Sequence, residues 1–105
     1  MNEKIKTVDV TAFEWFDKVN GNSYFAGYVC INFGMDNQRT YTMPFQYGYG
    51  DHYRQMAFEL LQNENEIPSQ DGLTSDWRYY QEHNIIVRYV KHENCKKREL
   101  KAIAN

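Results

Sequence analysis

Apolar and polar positions alternate over three stretches of the first half of the chain. From Lys6 to Phe16, Val8, Val10 and Ala12 point one way and Thr7, Asp9 and Thr11 the other, the period-two mark of a half-buried strand. Phe13, Trp15 and Phe16 then load both faces, which a bulge, two-sided burial or a surface aromatic cluster would explain. Asp17 to Asn22 follows as a turn, with Asn20-Gly21 suited to positive φ. Tyr24 to Phe33 sets Phe25, Gly27, Val29, Ile31 and Phe33 on one face and Tyr24, Ala26, Tyr28 and Cys30 on the other. Both faces are apolar or aromatic, so a central strand is predicted. Gly27 inside it implies the close approach of a neighbouring side chain or backbone. After a loop over Gly34 to Gln38, Arg39 to Phe45 reads as a third strand with Tyr41, Met43 and Phe45 inward, and Pro44 marks an edge or a strand end.

The period then changes. Tyr53, Met56, Ala57, Leu60 and Leu61 recur at helical spacing, predicting a helix from about His52 to Asn63 with Asp51 as its N-cap. Phe58 falls off that stripe. Asn65 to Asp76 reads as a loop, and Ser75 or Asp76 as the cap of a short helix through Trp77, Tyr80 and Gln81 that ends at His83-Asn84. The β-branched run Ile85 to Val90 predicts a fourth strand. Cys95 to Ala104 predicts a short basic helix with Leu100 and Ile103 inward. The expected fold is one α+β domain over residues 1–105: an antiparallel sheet in the order β-β-β-α-α-β, with the helices on one face in a two-layer sandwich. The short links between the first three strands demand a meander.

Composition narrows the function only by exclusion. A hydrophobic fraction of 42% with 25% charged residues is that of a globular domain. A net charge of -2 makes no global case for nucleic acid, although residues 51–82 carry two positive and seven negative side chains and residues 88–105 six positive and two negative. Cys30 and Cys95 belong to no paired metal motif and make no disulfide framework. Met1-Asn2-Glu3-Lys4 lacks the apolar core of a signal peptide and no apolar run is long enough to span a bilayer. A cytoplasmic protein without a membrane segment is the expectation.

Motifs that carry chemistry are absent from the pattern. His52, His83 and His92 stand alone, and no nucleophile elbow or phosphate loop is present. Gly48 and Gly50 precede a helix start, where backbone N–H groups can hold an anion, but Asp51 already places a negative charge there. No catalytic set, metal site or cofactor is predicted, which ranks a small enzyme with an unrecognised site below the two binding readings that follow. The surplus of aromatic residues remains. Trp15, Tyr24, Tyr28, Tyr47, Tyr49, Trp77 and Tyr80 are the candidates for contact with a protein partner, because Tyr and Trp make interface hot spots. Arg88, Lys91, Lys96, Lys97 and Arg98, beside those aromatics, are the candidates for binding single-stranded nucleic acid. The negative net charge favours the protein partner. Pairing of sheet edges into a homodimer is a further possibility.

Trp15-Phe16, Asn20-Gly21-Asn22-Ser23-Tyr24, Tyr28-Val29-Cys30-Ile31, Pro44-Phe45, Tyr47-Gly48-Tyr49-Gly50-Asp51-His52-Tyr53 and the close Lys96-Lys97-Arg98-Glu99-Leu100 together resemble a group of small accessory proteins of tailed bacteriophages and prophages. The resemblance covers most of the chain but not Asn63 to Ser75, and Ser23-Tyr24-Phe25-Ala26 departs from it by an added aromatic. It implies a viral setting in the host cytoplasm and action on host, defence-system or viral proteins, without naming an activity.

Overall fold

The computed structural model describes residues 4–68 and 75–104. Its elements are β1 (Thr7–Asp17), β2 (Asn22–Ile31), β3 (Arg39–Tyr47), α1 (His52–Asn63), α2 (Asp76–Glu82), β4 (Ile86–His92) and α3 (Lys97–Ala104). The α+β class, the element order and the three-stranded meander agree with the pattern. The middle of the loop expected over Asn65 to Asp76 lies outside the described residues.

Two features of the expected architecture are corrected. The sheet is mixed, not antiparallel: the strand order is β3-β2-β1-β4, and β4 runs parallel to β1. After β3 the chain crosses the sheet through α1 and α2 and returns beside β1 pointing the same way. A crossover of that length is what parallel neighbours require. Nor do all helices share one face. Val8, Val10 and Ala12 of β1 pair with Ile31, Val29 and Gly27 of β2, and this face holds the main core with Tyr53, Met56, Phe58 and Leu61 of α1 and Tyr79 and Tyr80 of α2. Trp15 has the opposite parity on β1, and α3 sits on its side, with the Lys97 ammonium over the Trp15 ring. Leu100 of α3 is fully buried there, outside the main core cluster. Part of the sheet is therefore sandwiched between helical layers.

The local chemistry explains the joints. A Cβ on Gly27 would lie 1.9 Å from the Thr11 carbonyl oxygen, so only glycine admits the close β1–β2 approach. At the β1–β2 turn Gly21 takes φ +71°, and the Asp17 carboxylate accepts from the Val19 and Asn20 backbone N–H groups. Asn20 itself does not adopt positive φ. Helix α1 spans the predicted residues, but the Asp51 carboxylate makes no capping hydrogen bond. It lies 4.0 Å from the Arg54 guanidinium on the surface instead. Turn bonds from His52 N–H to the Tyr49 carbonyl and from Arg54 N–H to the Asp51 carbonyl start the helix. Its far end closes with Asn65 at φ +61° and Glu66 N–H donating to the Leu61 carbonyl, a left-handed C-terminal cap. Phe58 packs edge-on against Tyr79 and Tyr80, joining α1 to α2. Ser75 makes no side-chain cap at the start of α2, and Asn84 ends that helix at φ +55° as expected.

Phe45 is the third correction. Phe25 pairs with Gln46 but Gly27 pairs with Met43, so β3 carries one extra residue around Pro44. Proline offers no N–H to the ladder and tolerates such a bulge. The slip reverses the parity of the strand, and Phe45 leaves the core face for the side of Trp15 and Tyr24. At the other strand end Phe33 lies beyond β2 and is exposed, instead of lining its inner face.

Candidate functional site: an aromatic face on the sheet

Register alone brings three of the candidate aromatics into a row. Trp15 of β1 pairs with Tyr24 of β2, which pairs with Tyr47 of β3. Trp15 and Tyr24 stack at 5.3 Å between centroids, and Tyr24 stacks on Phe45 at 5.1 Å. Tyr47 meets Tyr24 edge-on at 5.9 Å and Tyr49 edge-on at 5.2 Å. The Tyr49 hydroxyl reaches back to the Gly21 carbonyl at 3.3 Å, tying the β3–α1 link to the β1–β2 turn. About half of Tyr47 and Tyr49 remains exposed.

The α3 helix borders this face with cations. The Lys97 ammonium lies 5.4 Å from the Trp15 centroid and that of Lys101 5.9 Å from Phe45, contacts worth about 0.5–1 kcal/mol each at such exposed positions. A groove of about 470 Å³ opens beside Trp15, between Phe16, Lys18 and Val19 of the β1–β2 turn and Asn94 to Lys96 before α3. A second hollow of about 340 Å³ lies at Tyr47, Gly48, Tyr49 and His52.

The remaining candidates are scattered. Tyr28 lies farther along the same sheet face, edge-on to Phe13, whose ring also stacks on His92 at 4.8 Å. Trp77 is well exposed but belongs to α2, on the other side of the sheet. Tyr80 is only 4% exposed and packs in the core, so it has no surface to offer a partner. Arg88 is held by both Asp9 carboxylate oxygens at 2.6 and 2.8 Å. Lys91 lies 3.4 Å from a Glu93 carboxylate oxygen. Lys96 and Arg98 are exposed on or beside α3. Two of the five cations of the nucleic-acid reading are thus engaged by carboxylates.

Two ionisable groups at this face are shifted toward their neutral forms. Tyr47 is held above the usual phenol range by its hydrogen bond with Tyr49 and by burial, so its phenol stays neutral. Burial likewise pushes the Cys95 thiol up, away from the thiolate that nucleophilic chemistry needs. Among the described residues no three His, Cys, Asp or Glu side chains gather as metal ligands. His83 stacks on Tyr79, its Nδ1 3.0 Å from that residue's carbonyl oxygen, and takes no part in the aromatic face.

Two members of the face escape a reading of the pattern. Phe45 is assigned inward if strict alternation is assumed, although Pro44 is the visible sign that it fails. Lys101 joins only because α3 crosses the unexpected face of the sheet. No family model, curated protein or solved structure matches the chain.

Proposed function

We propose that this is a small non-enzymatic accessory protein that binds a host, defence-system or viral protein through the face built by Trp15, Tyr24, Phe45, Tyr47 and Tyr49. The observation that carries this reading is the stacking of these rings on one another while Tyr47 and Tyr49 stay half exposed. A rigid aromatic patch loses little side-chain entropy on binding, as hot-spot residues do. The resemblance to phage accessory proteins supports the viral setting and the host cytoplasm as the place of action.

Binding of single-stranded nucleic acid is the second reading, favoured by Lys97 and Lys101 over aromatic rings. It is weaker because Trp15, Tyr24 and Phe45 use their flat faces on each other, which leaves little ring surface for bases to stack on. Affinity purification of tagged protein from infected and uninfected lysates, beside a Tyr47→Ala/Tyr49→Ala variant of unchanged circular dichroism, separates the two. A discrete protein recovered with the native chain and lost with the variant, the interaction weakening at least about tenfold on titration, is the expected result. A shift of labelled oligonucleotide that collapses with salt, without any protein partner, would favour the second reading.

A further inference from the structure

The two edges of the sheet are built differently. On β3, Pro44 lacks a donor and the register slips beside it, both devices that blunt an edge. On β4 there is neither proline nor glycine, and its register with β1 is unbroken from Thr7↔Ile86 to Phe13↔His92. Ile86 N–H donates to the Lys6 carbonyl at 3.0 Å. Ile86, Arg88, Val90 and His92 therefore turn their backbone groups toward β1, and Val87, Tyr89 and Lys91 turn theirs outward. Among the described residues nothing pairs with those outward groups.

The side chains of β4 are equally open. Ile86 is 62% and Val90 50% exposed on the sheet face away from the main core, with Arg88 between them. Edge strands are ordinarily guarded by free charges, yet Arg88 is neutralised bidentately by Asp9 and Lys91 lies against Glu93.

We propose that β4 is the seam of a homodimer, pairing antiparallel with β4 of a second copy about a two-fold axis at Arg88. In that register Ile86 lies opposite Val90 of the other copy, twice over, in the close non-hydrogen-bonded pairs. Val87 and Tyr89, whose backbone groups point outward, become the hydrogen-bonded pairs. The two Arg88 side chains meet at the axis, each already matched by its own Asp9, so the row Asp–Arg–Arg–Asp carries no net charge. A two-residue shift, centring the axis on Tyr89, would set Ile86 against His92 and Val87 against Lys91, apolar against polar. The seven-residue seam buries an area at the low end of specific interfaces, roughly 1,000 Å² in total. Interfaces of that size class are typically weak, and a dissociation constant in the micromolar range is the expectation. The seam uses neither Tyr47 nor Tyr49, so its failure leaves the partner reading standing.

Sedimentation equilibrium over roughly 1–500 µM, the span across which such an affinity is read, tests the seam. The native chain forms a reversible dimer of twice 12.6 kDa. Val90→Lys, with unchanged circular dichroism, raises the dissociation constant at least about tenfold, because a solvated ammonium guards the edge. Asp9→Asn also weakens the dimer by unmasking the facing arginines, less so in high salt. With Cys30→Ala and Cys95→Ala as background, Ile86→Cys and Val90→Cys chains cross-link when mixed and neither does so alone. A native chain monomeric throughout, a dimer indifferent to Val90→Lys, or no cross-link in the mixture overturns the proposal.

Discussion

Asn32 provides the sharpest test of how β1 is held in place. It is fully buried directly after β2, with φ +55°. Its Oδ1 accepts from the Lys6 and Thr7 backbone N–H groups at 2.7 and 3.2 Å, and its Nδ2 donates to the Lys4 carbonyl at 3.0 Å. One amide thus satisfies three backbone groups where the chain enters β1, between β2 and β4. Asn32→Ala removes all three bonds, each worth about 1 kcal/mol net, and leaves partly buried backbone groups unpaired. It also puts a Cβ without a compensating hydrogen bond into the left-handed region, at a further 1–2 kcal/mol or so. The total loss should be about 3–5 kcal/mol, a large share of the roughly 5–15 kcal/mol by which domains are stable. Asn32→Gly loses the same hydrogen bonds but not the backbone preference, and should be more stable than the alanine variant by about 1 kcal/mol. Urea unfolding followed by the fluorescence of Trp15 and Trp77 measures both changes, seen as falling midpoints at constant slope. A loss below about 1 kcal/mol for Asn32→Ala, under the net worth of even one such bond, or a glycine variant less stable than the alanine one, would refute the reasoning.

Two further perturbations examine other polar groups. Glu66 accepts from Arg39 at 2.5 and 2.6 Å and from the Tyr41 hydroxyl, and the guanidinium holds its carboxyl below the usual range of 4.5. A depressed folded pKa adds stability above the unfolded value that is lost as the pH falls through the folded one. Glu66→Gln should therefore cost about 1–3 kcal/mol at pH 7, and the gap between native and variant unfolding midpoints should narrow below about pH 4.5; a gap independent of pH would contradict this. The Tyr80 hydroxyl is buried with no hydrogen-bond partner among the described residues, and burial raises its pKa. Tyr80→Phe should accordingly be neutral or stabilising by up to about 1 kcal/mol in thermal unfolding, and a clear loss would show that the hydroxyl is satisfied.

Much of the fold is legible because local signals agree with one another. Alternation in β1 and β2, the stripe Tyr53–Met56–Ala57–Leu61 and the left-handed Asn84 all report short-range constraints, and each appears where the pattern puts it. The candidate site was legible only in part. Trp15, Tyr24, Tyr47 and Tyr49 can be named as surplus aromatics, yet nothing local distinguishes the three tyrosines among them from Tyr80, which has the same side chain and lies in the core. Burial of one tyrosine and exposure of another depend on which face of which element meets the sheet.

By itself, then, the sequence determined element type and most boundaries, because backbone propensity, side-chain period and turn residues act over a few positions. Tertiary structure decided the rest. It set β4 parallel beside β1, because a crossover can return to either edge of a meander in either direction and only packing chooses. It sent α3 to the second face, where Leu100 finds a core of its own. Through one extra residue at Pro44 it turned Phe45 out of the main core, completing an aromatic face that no local pattern contains.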